Sequence, residues 1–172
     1  YLPSASIKHP TIGSHVSHHI GNPNADLPSF VRVGAGRNLT GAGLLGVDHD
    51  PFKIGNPNQK PANTQIPTTK PRFTRRLSLL EQLEQDSSRT GADHWTNANR
   101  KVYGKATRMI TSPLMDAFDL EQENVASRES YGEGNFAAGC LMARRLIESG
   151  VTFVEVTSGN WDTHFDNYER TT

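Results

Sequence analysis

The chain has 172 residues, 34% of them hydrophobic and 21% charged, with a formal net charge of zero. That balance leaves no basic footprint for nucleic acid, and no apolar run approaches the roughly 20 residues of a membrane span. Cys140 is the single cysteine, which excludes an internal disulfide framework.

A chain of this length can bury roughly 70% of its unfolded surface. A mean hydropathy of −0.59 is nevertheless low for a self-sufficient core. With Tyr1 at one end and Thr172 just past the richest motif, residues 1–172 are expected to be an internal fragment of a single larger domain. Cut out of its sheet, such a piece is expected to be only marginally stable.

Residues 1–9 read as a loop. Pro10 suits a first helical turn, and Ile12, Val16 and Ile20 recur at four-residue spacing as the apolar stripe of a short helix. Gly21 is placed to end that helix in the left-handed conformation. A short strand over 27–33 follows. From Gly34 to Lys70 there is little periodicity and much Gly, Pro and Asn, so this stretch reads as a long irregular loop. Its apolar beads, Leu44, Leu45, Val47, Phe52 and Ile54, suggest that it drapes over a surface.

The chain then becomes helical. Thr74 is a candidate N-cap for a helix carrying Leu77, Leu79, Leu80 and Leu83 to about Asp86, with Arg72, Arg75 and Arg76 at its solvated start. A second helix spans Asp93 to about Ile110, with Trp95, Val102, Ala106 and Met109 inward, and Ser112-Pro113 breaks it. Leu114 to Phe118 reads as an apolar turn and Glu121 to Glu129 as a further short helix. Tyr131-Gly132 reads as a turn. Asn135 is a candidate cap for the last helix, whose stripe is Phe136, Cys140, Ala143 and Ile147, widened by Leu146. Arg144-Arg145 fall on its outer face. Gly150 closes it, and the strand at 151–157 begins at once. This helix–strand unit makes the fold α/β.

Several groups suit metal or phosphate, each with a plainer reading. His15 and His19 have the spacing of two zinc ligands on a helix, with His18 beside them, but without an intervening glutamate they equally form a polar face. Asp48-His49-Asp50 precedes Pro51, which is also ordinary turn chemistry. Gly34-Ala35-Gly36 and Gly41-Ala42-Gly43 are incomplete pieces of a phosphate loop. Asn38-Leu39-Thr40 is a formal glycosylation acceptor. Cys140 lies on an apolar stripe and reads as core.

The strand at 151–157 opens into Gly159-Asn160-Trp161-Asp162-Thr163-His164-Phe165-Asp166-Asn167. In α/β folds the crevice lies outside the carboxyl ends of the strands. In extended backbone, residues two apart face the same way, about 6.5–7 Å apart at Cα. A metal held at about 2.0–2.2 Å from each ligand atom fits between Asp162 and His164. The plainer reading is a turn at Asp162-Thr163 with His164 on the surface.

His9-Pro10-Thr11-Ile12-Gly13-Ser14, Leu27-Pro28-Ser29-Phe30-Val31, Gly41-Ala42-Gly43-Leu44-Leu45-Gly46 and Pro51-Phe52 occur in that order. Tyr131-Gly132, the run from Cys140 to Val151 and Trp161-Asp162-Thr163-His164 follow. Together they resemble the bacterial domain-of-unknown-function family 1501, of the alkaline phosphatase/sulfatase-like superfamily. The resemblance implies a partial alkaline-phosphatase-like domain with a mainly parallel central sheet between helices. It also implies a divalent-metal hydrolase in which two metal ions act on phosphate or sulfate esters, polymeric ones included, exported or periplasmic, with zinc, manganese or calcium as the cofactor. Carried over by position, the metal-ligand role falls on Asp162 and His164, with Asn167 as a nearby ligand or donor.

Two departures bear on this. The family tends to carry an aromatic residue where this chain has His15 or His18, which argues against those histidines as ligands. Its usual Gly-Gly before tryptophan is Gly159-Asn160 here. The strand with the superfamily's nucleophile, and the later Asp-His ligands, have no counterpart in residues 1–172. The competing expectation is a non-catalytic binding or structural protein, with the loop from Gly34 to Lys70 as its recognition surface.

Overall fold

The computed structural model describes residues 8–34, 40–66, 68–88 and 93–159, with the backbone alone over parts of the two long helices. Its elements run α1 (Ile12–Ile20), β1 (Phe30–Val33), β2 (Phe52–Ile54), α2 (Lys70–Ser88), α3 (Asp93–Thr111), α4 (Val125–Tyr131), α5 (Gly134–Glu148) and β3 (Phe153–Val156). The three strands form one parallel sheet in the order β2-β1-β3. The α/β class is as the helix–strand pattern predicts, and a parallel sheet flanked by helices is as the family resemblance implies.

Register sorts the side chains by face. Val31 pairs with Phe52 and Val33 with Ile54, while Phe30 pairs with Phe153 and Arg32 with Glu155. Successive side chains alternate, so the valines of β1 share one face with Ile54 and Val156. That face carries the core, where Val31, Val33, Ile54, Met142, Leu146 and Phe118 are buried together. Burying each such side chain contributes about 1.5–3 kcal/mol. The other face holds Phe30 edge-on to Phe153 at 5.5 Å and the Arg32–Glu155 pair.

The α5–β3 unit forms as expected. Gly150 takes a φ of 93° and its N–H donates to the Ile147 carbonyl, while Val151 N–H donates to Leu146. A left-handed glycine at this position satisfies the last carbonyls of α5 and reverses the chain into β3. The phase of the helix differs from the predicted stripe. Gly139, Leu141, Met142 and Leu146 are buried, whereas Phe136 and Ile147 are half exposed. The helix turns its glycine to the sheet because only there does backbone approach closely: a Cβ at Gly139 would lie 2.9 Å from Val156 Cγ1 and 3.4 Å from Val33 Cγ1.

The same physics corrects α1. Two of the three residues of its predicted stripe face outward, with Ile12 76% and Ile20 71% exposed, and Val16 between them is half-buried. Gly13, Ser14 and Ser17 are the buried residues. Gly13 sits directly on the Phe30 ring, where any Cβ would clash. Small residues let the helix lie close to the sheet, and apolar spacing does not report that. Thr11, not Pro10, begins the helix, accepting a hydrogen bond from Ser14 N–H. Gly21 is extended at φ −67° rather than left-handed; a Cβ there would collide with the Ser17 carbonyl and lie 2.9 Å from Ser29.

The described residues between Gly34 and Lys70 are more regular than their composition predicts. They contain β2 and two 3-10 turns, Gly43–Leu45 and Val47–His49. The Asp50 carboxylate accepts from Ala42 N–H at 2.6 Å and pins the turns to one another. A three-residue strand is too short to show alternation, so nothing in the local pattern announces it.

Among the helices, α2 starts at Lys70 because Phe73 N–H already reaches the Thr69 carbonyl and Pro71 is tolerated in a first turn. Leu79 and Leu83 on it are exposed, as is Val102 on α3. The Trp95 side chain lies outside the described residues. Ser112 ends α3 and caps the 3-10 turn Pro113–Phe118. The helix predicted over Glu121 to Glu129 is divided: a 3-10 turn covers Leu120–Gln122, and Asn124 then caps α4 through Ser127 N–H at 2.7 Å. Arg144 and Arg145 do not face solvent as predicted. Both guanidinium groups hold the Glu123 carboxylate, and Arg145 also donates to the Asp116 and Ala117 carbonyls.

Candidate functional site

Parallel strands place their carboxyl ends on one rim. Here that rim is Gly34, Gly55 and Thr157, the residues that follow β1, β2 and β3. Gly34 N–H donates to the Ile54 carbonyl at 2.8 Å, and Thr157 N–H to Val33 at 2.8 Å, so hydrogen bonding continues to the edge. Thr157 Oγ1 also donates to Val33 at 3.2 Å. Gly34 has a φ of 106°, and a Cβ on it would sit 2.5 Å from the Thr157 carbonyl oxygen. Glycine is required by both conformation and space, and it lets β3 leave the sheet tightly against β1.

From this rim the chain passes through Ser158 and Gly159 toward the predicted metal ligands. Asp162, His164 and Asn167 lie outside the described residues, as do Ala35 and Gly36 of the first glycine pair. Among the described residues, no group of three or more His, Cys, Asp or Glu side chains is arranged to hold a metal ion.

The other predicted candidates take structural roles. Asp48 pairs with Lys105 at 3.0 Å and Asp50 holds Ala42. His49 Nδ1 lies 3.1 Å from Ser17 Oγ, tying the second 3-10 turn to α1. The histidines of α1 gather here too. The His18 ring lies 4.9 Å from His49 and 4.9 Å from His19, both edge-on, and His15 stacks on His19 at 6.3 Å. The His49 pKa is lowered, first by burial and then by His18 and Lys105, against an upward pull from Asp48. Gly43 takes a φ of 54° within a 3-10 turn and packs against the Lys8 carbonyl, which is not a phosphate cradle. Cys140 is half-buried.

A cavity of about 390 Å³ opens at the carboxyl end of the sheet. Its walls are the loop after β2, Pro57 to Lys60; the turn at Phe118 to Glu121; and the amino-terminal half of α5. Gly139 on α5 is level with Val33 and Val156, the last residues of their strands, so the residues before it project past the sheet. Lys60 Nζ and the Asp119 carboxylate pair across the cavity at 2.9 Å. That hydrogen bond holds Asp119 below the ordinary carboxylate range, helped by Glu121 N–H, and raises Lys60. Asn58 Nδ2 donates to Asn135 Oδ1 at 3.0 Å, which ties the loop to α5. Asn135 is therefore a tether and not the predicted cap; Glu133 occupies the cap position without a side-chain bond.

Sequence reasoning misses this cavity. Its members come from segments some 60 residues apart, and the one local signal is Asp119 two residues before Glu121, a carboxylate placed to accept a backbone N–H. A second cavity of about 280 Å³ lies at the opposite end, between the starts of β1 and β2 and α3. Val102, Ala106 and Met109, predicted to point inward, line it.

No curated protein and no solved structure matches the sequence. The family model described as "Protein of unknown function (DUF1501)" matches residues 2–172, and the chain belongs to that family.

Proposed function

We propose that the complete protein is a metal-dependent hydrolase of phosphate or sulfate esters, of the alkaline phosphatase/sulfatase-like kind. The supporting observation is the parallel pairing of β3 with β1. The chain leaves the sheet at its carboxyl rim, and three residues carry it from Gly159 to Asp162, a reach of at most about 11 Å. That is where open α/β sheets bind their ligands.

In this reading Asp162 contributes a hard, anionic oxygen and His164 a neutral imidazole to one divalent cation. Asn167 serves as a further ligand or donor, and Thr163 with the adjacent backbone orients the pair. Carboxylate and imidazole together suit zinc or manganese, and calcium with added oxygen ligands. When bound, the cation polarises the ester oxygen and offsets charge on the leaving group.

The test uses the complete gene product. Its bound metal is measured, together with turnover of 4-nitrophenyl phosphate and 4-nitrophenyl sulfate. Asp162→Ala and His164→Ala are expected to lose metal. They should also lower kcat/KM by more than the roughly 10–100-fold that follows loss of an outer-shell partner. Metal content and turnover unchanged in both variants would remove the ligand assignment. A protein that holds no metal and hydrolyses neither ester is the non-catalytic binder instead.

A further inference from the structure

β2, whose following loop walls the cavity, lies two strand spacings, roughly 10 Å, from β3 in the sheet. The cavity volume of about 390 Å³ falls in the range of small-molecule sites. The charges on its walls are Lys60 and Arg128 against Asp119 and Glu121, which sum to zero. Net charge therefore favours neither an anion nor a cation, and recognition falls to individual donors and acceptors.

Those are dense and mixed. Lys60 uses one direction on Asp119 and keeps others free. Arg128 and Glu121 make no side-chain hydrogen bond or ion pair among the described residues. The amides of Asn58 and Gln59 add both donors and acceptors. Beneath them the floor is apolar: Phe118 and Leu141 are buried, and Ala137 and Ala138 leave the space empty. The walls are also tied in place, by Lys60–Asp119 on one side and Asn58–Asn135 on the other. Mixed donors and acceptors over an apolar floor, without net charge, match an uncharged polyol whose hydroxyls both give and accept hydrogen bonds.

We propose that this cavity is a binding subsite for an uncharged, polyhydroxylated group of the sugar type, which is the organic part of the ester. The placement of that group as part of a substrate rests on the ester-hydrolase reading; its binding does not. The anionic head then lies toward the β3 rim and the hydroxylated body against Asn58, Lys60 and Glu121.

The experiment measures saturation-transfer NMR of the complete protein with three uncharged disaccharides, maltose, cellobiose and lactose. Binding needs no turnover. At least one sugar should give transfer signals, and Ala138→Phe, which fills the floor, should abolish them. Arg128→Ala and Glu121→Ala are surface changes that leave the core untouched, and each should weaken binding roughly three- to tenfold. They decide the question if Ala138→Phe does not fold. Absence of binding by all three sugars, or binding indifferent to these variants, overturns the proposal. Sugar binding that the variants weaken, in a protein that hydrolyses neither aryl ester, supports the subsite and sinks the hydrolase reading alone.

Discussion

His49 shows how one side chain can report on the packing of two elements. It is faced by Ser17 and His18 from α1, by Lys105 from α3 and by Asp48 from its own turn. Burial, with the repulsion of a second positive charge by His18 and Lys105, outweighs Asp48, so the folded protein binds a proton here less readily than the unfolded chain, whose ordinary value is 6.5. As pH falls below about 6.5 the unfolded chain takes up this proton first, and stability declines until the lowered folded pKa is passed. Above that window the contribution is constant. Asp119 and Glu123 also have lowered values, but from references of 3.8 and 4.5, so their stabilisation is lost only at more acid pH. We expect the melting temperature of the complete protein to drop between pH 7.5 and 5.5. In His49→Gln the drop should be smaller, since the amide still reaches Ser17 but does not titrate. Identical slopes in the two proteins would show that His49 is not the responsible group. The sequence marks His49 only as a member of Asp48-His49-Asp50. Its partner Ser17 is 32 positions away, and no local pattern carries that distance.

At the scale of elements, the helix–strand unit at 134–156 is legible because its signals are local: Gly150 next to the last helical turn, then a β-branched run. The phase of α1 and α5 is not: α1 lies on the sheet through Gly13, Ser14 and Ser17, and α5 through Gly139 beside Met142 and Leu146, and residue spacing does not register the small residues. β2 escapes for the opposite reason, being three residues long and recognisable only by its pairing with β1. The contact role of glycine gives a prediction with opposite signs in two helices. In α5 a Cβ at position 139 meets Val156 Cγ1 at 2.9 Å, whereas in α3 the nearest atom to a Cβ at Gly104 is Arg108 Nη1 at 3.9 Å. Gly104→Ala removes the helical penalty of glycine and should stabilise by about 0.5–1 kcal/mol. Gly139→Leu overpacks the interface between helix and sheet and should destabilise by about 1–3 kcal/mol, net of its better helix propensity. Urea midpoints of both variants check this. A stabilising Gly139→Leu would mean that α5 does not lie on the sheet through this residue.

For the molecule as a whole, the two faces of the sheet are sealed in different ways, and this sets how its parts depend on one another. One face is closed by hydrocarbon from α3, the 3-10 turn Pro113–Phe118 and α5, which tolerates repacking. The other is closed by α1 and by a buried charge. Arg32 is only 4% exposed in the central strand; it donates to Glu155 at 3.1 Å and to the Thr40 carbonyl at 3.3 Å, and stacks 5.4 Å from the Phe30 ring. Its Nε has no partner among the described residues. The pair joins strands 123 positions apart, so it fixes the register of β3 against β1 and with it the point where residues 157–159 meet the rim. Breaking such a pair from one side leaves a buried charge without its counterion, whereas replacing both ends by apolar groups of similar size is often neutral. Glu155→Gln should therefore cost about 2–3 kcal/mol, below the fully buried case because water reaches Glu155. Arg32→Met combined with Glu155→Met should recover most of that loss. If the pair is also a register device, the double variant will be stable yet altered at the rim, where the Gly34 and Thr157 N–H groups should exchange faster than its melting temperature alone would explain. A double variant that is as unstable as Glu155→Gln would show that the Thr40 and Phe30 contacts of Arg32, not its counterion, hold this face together.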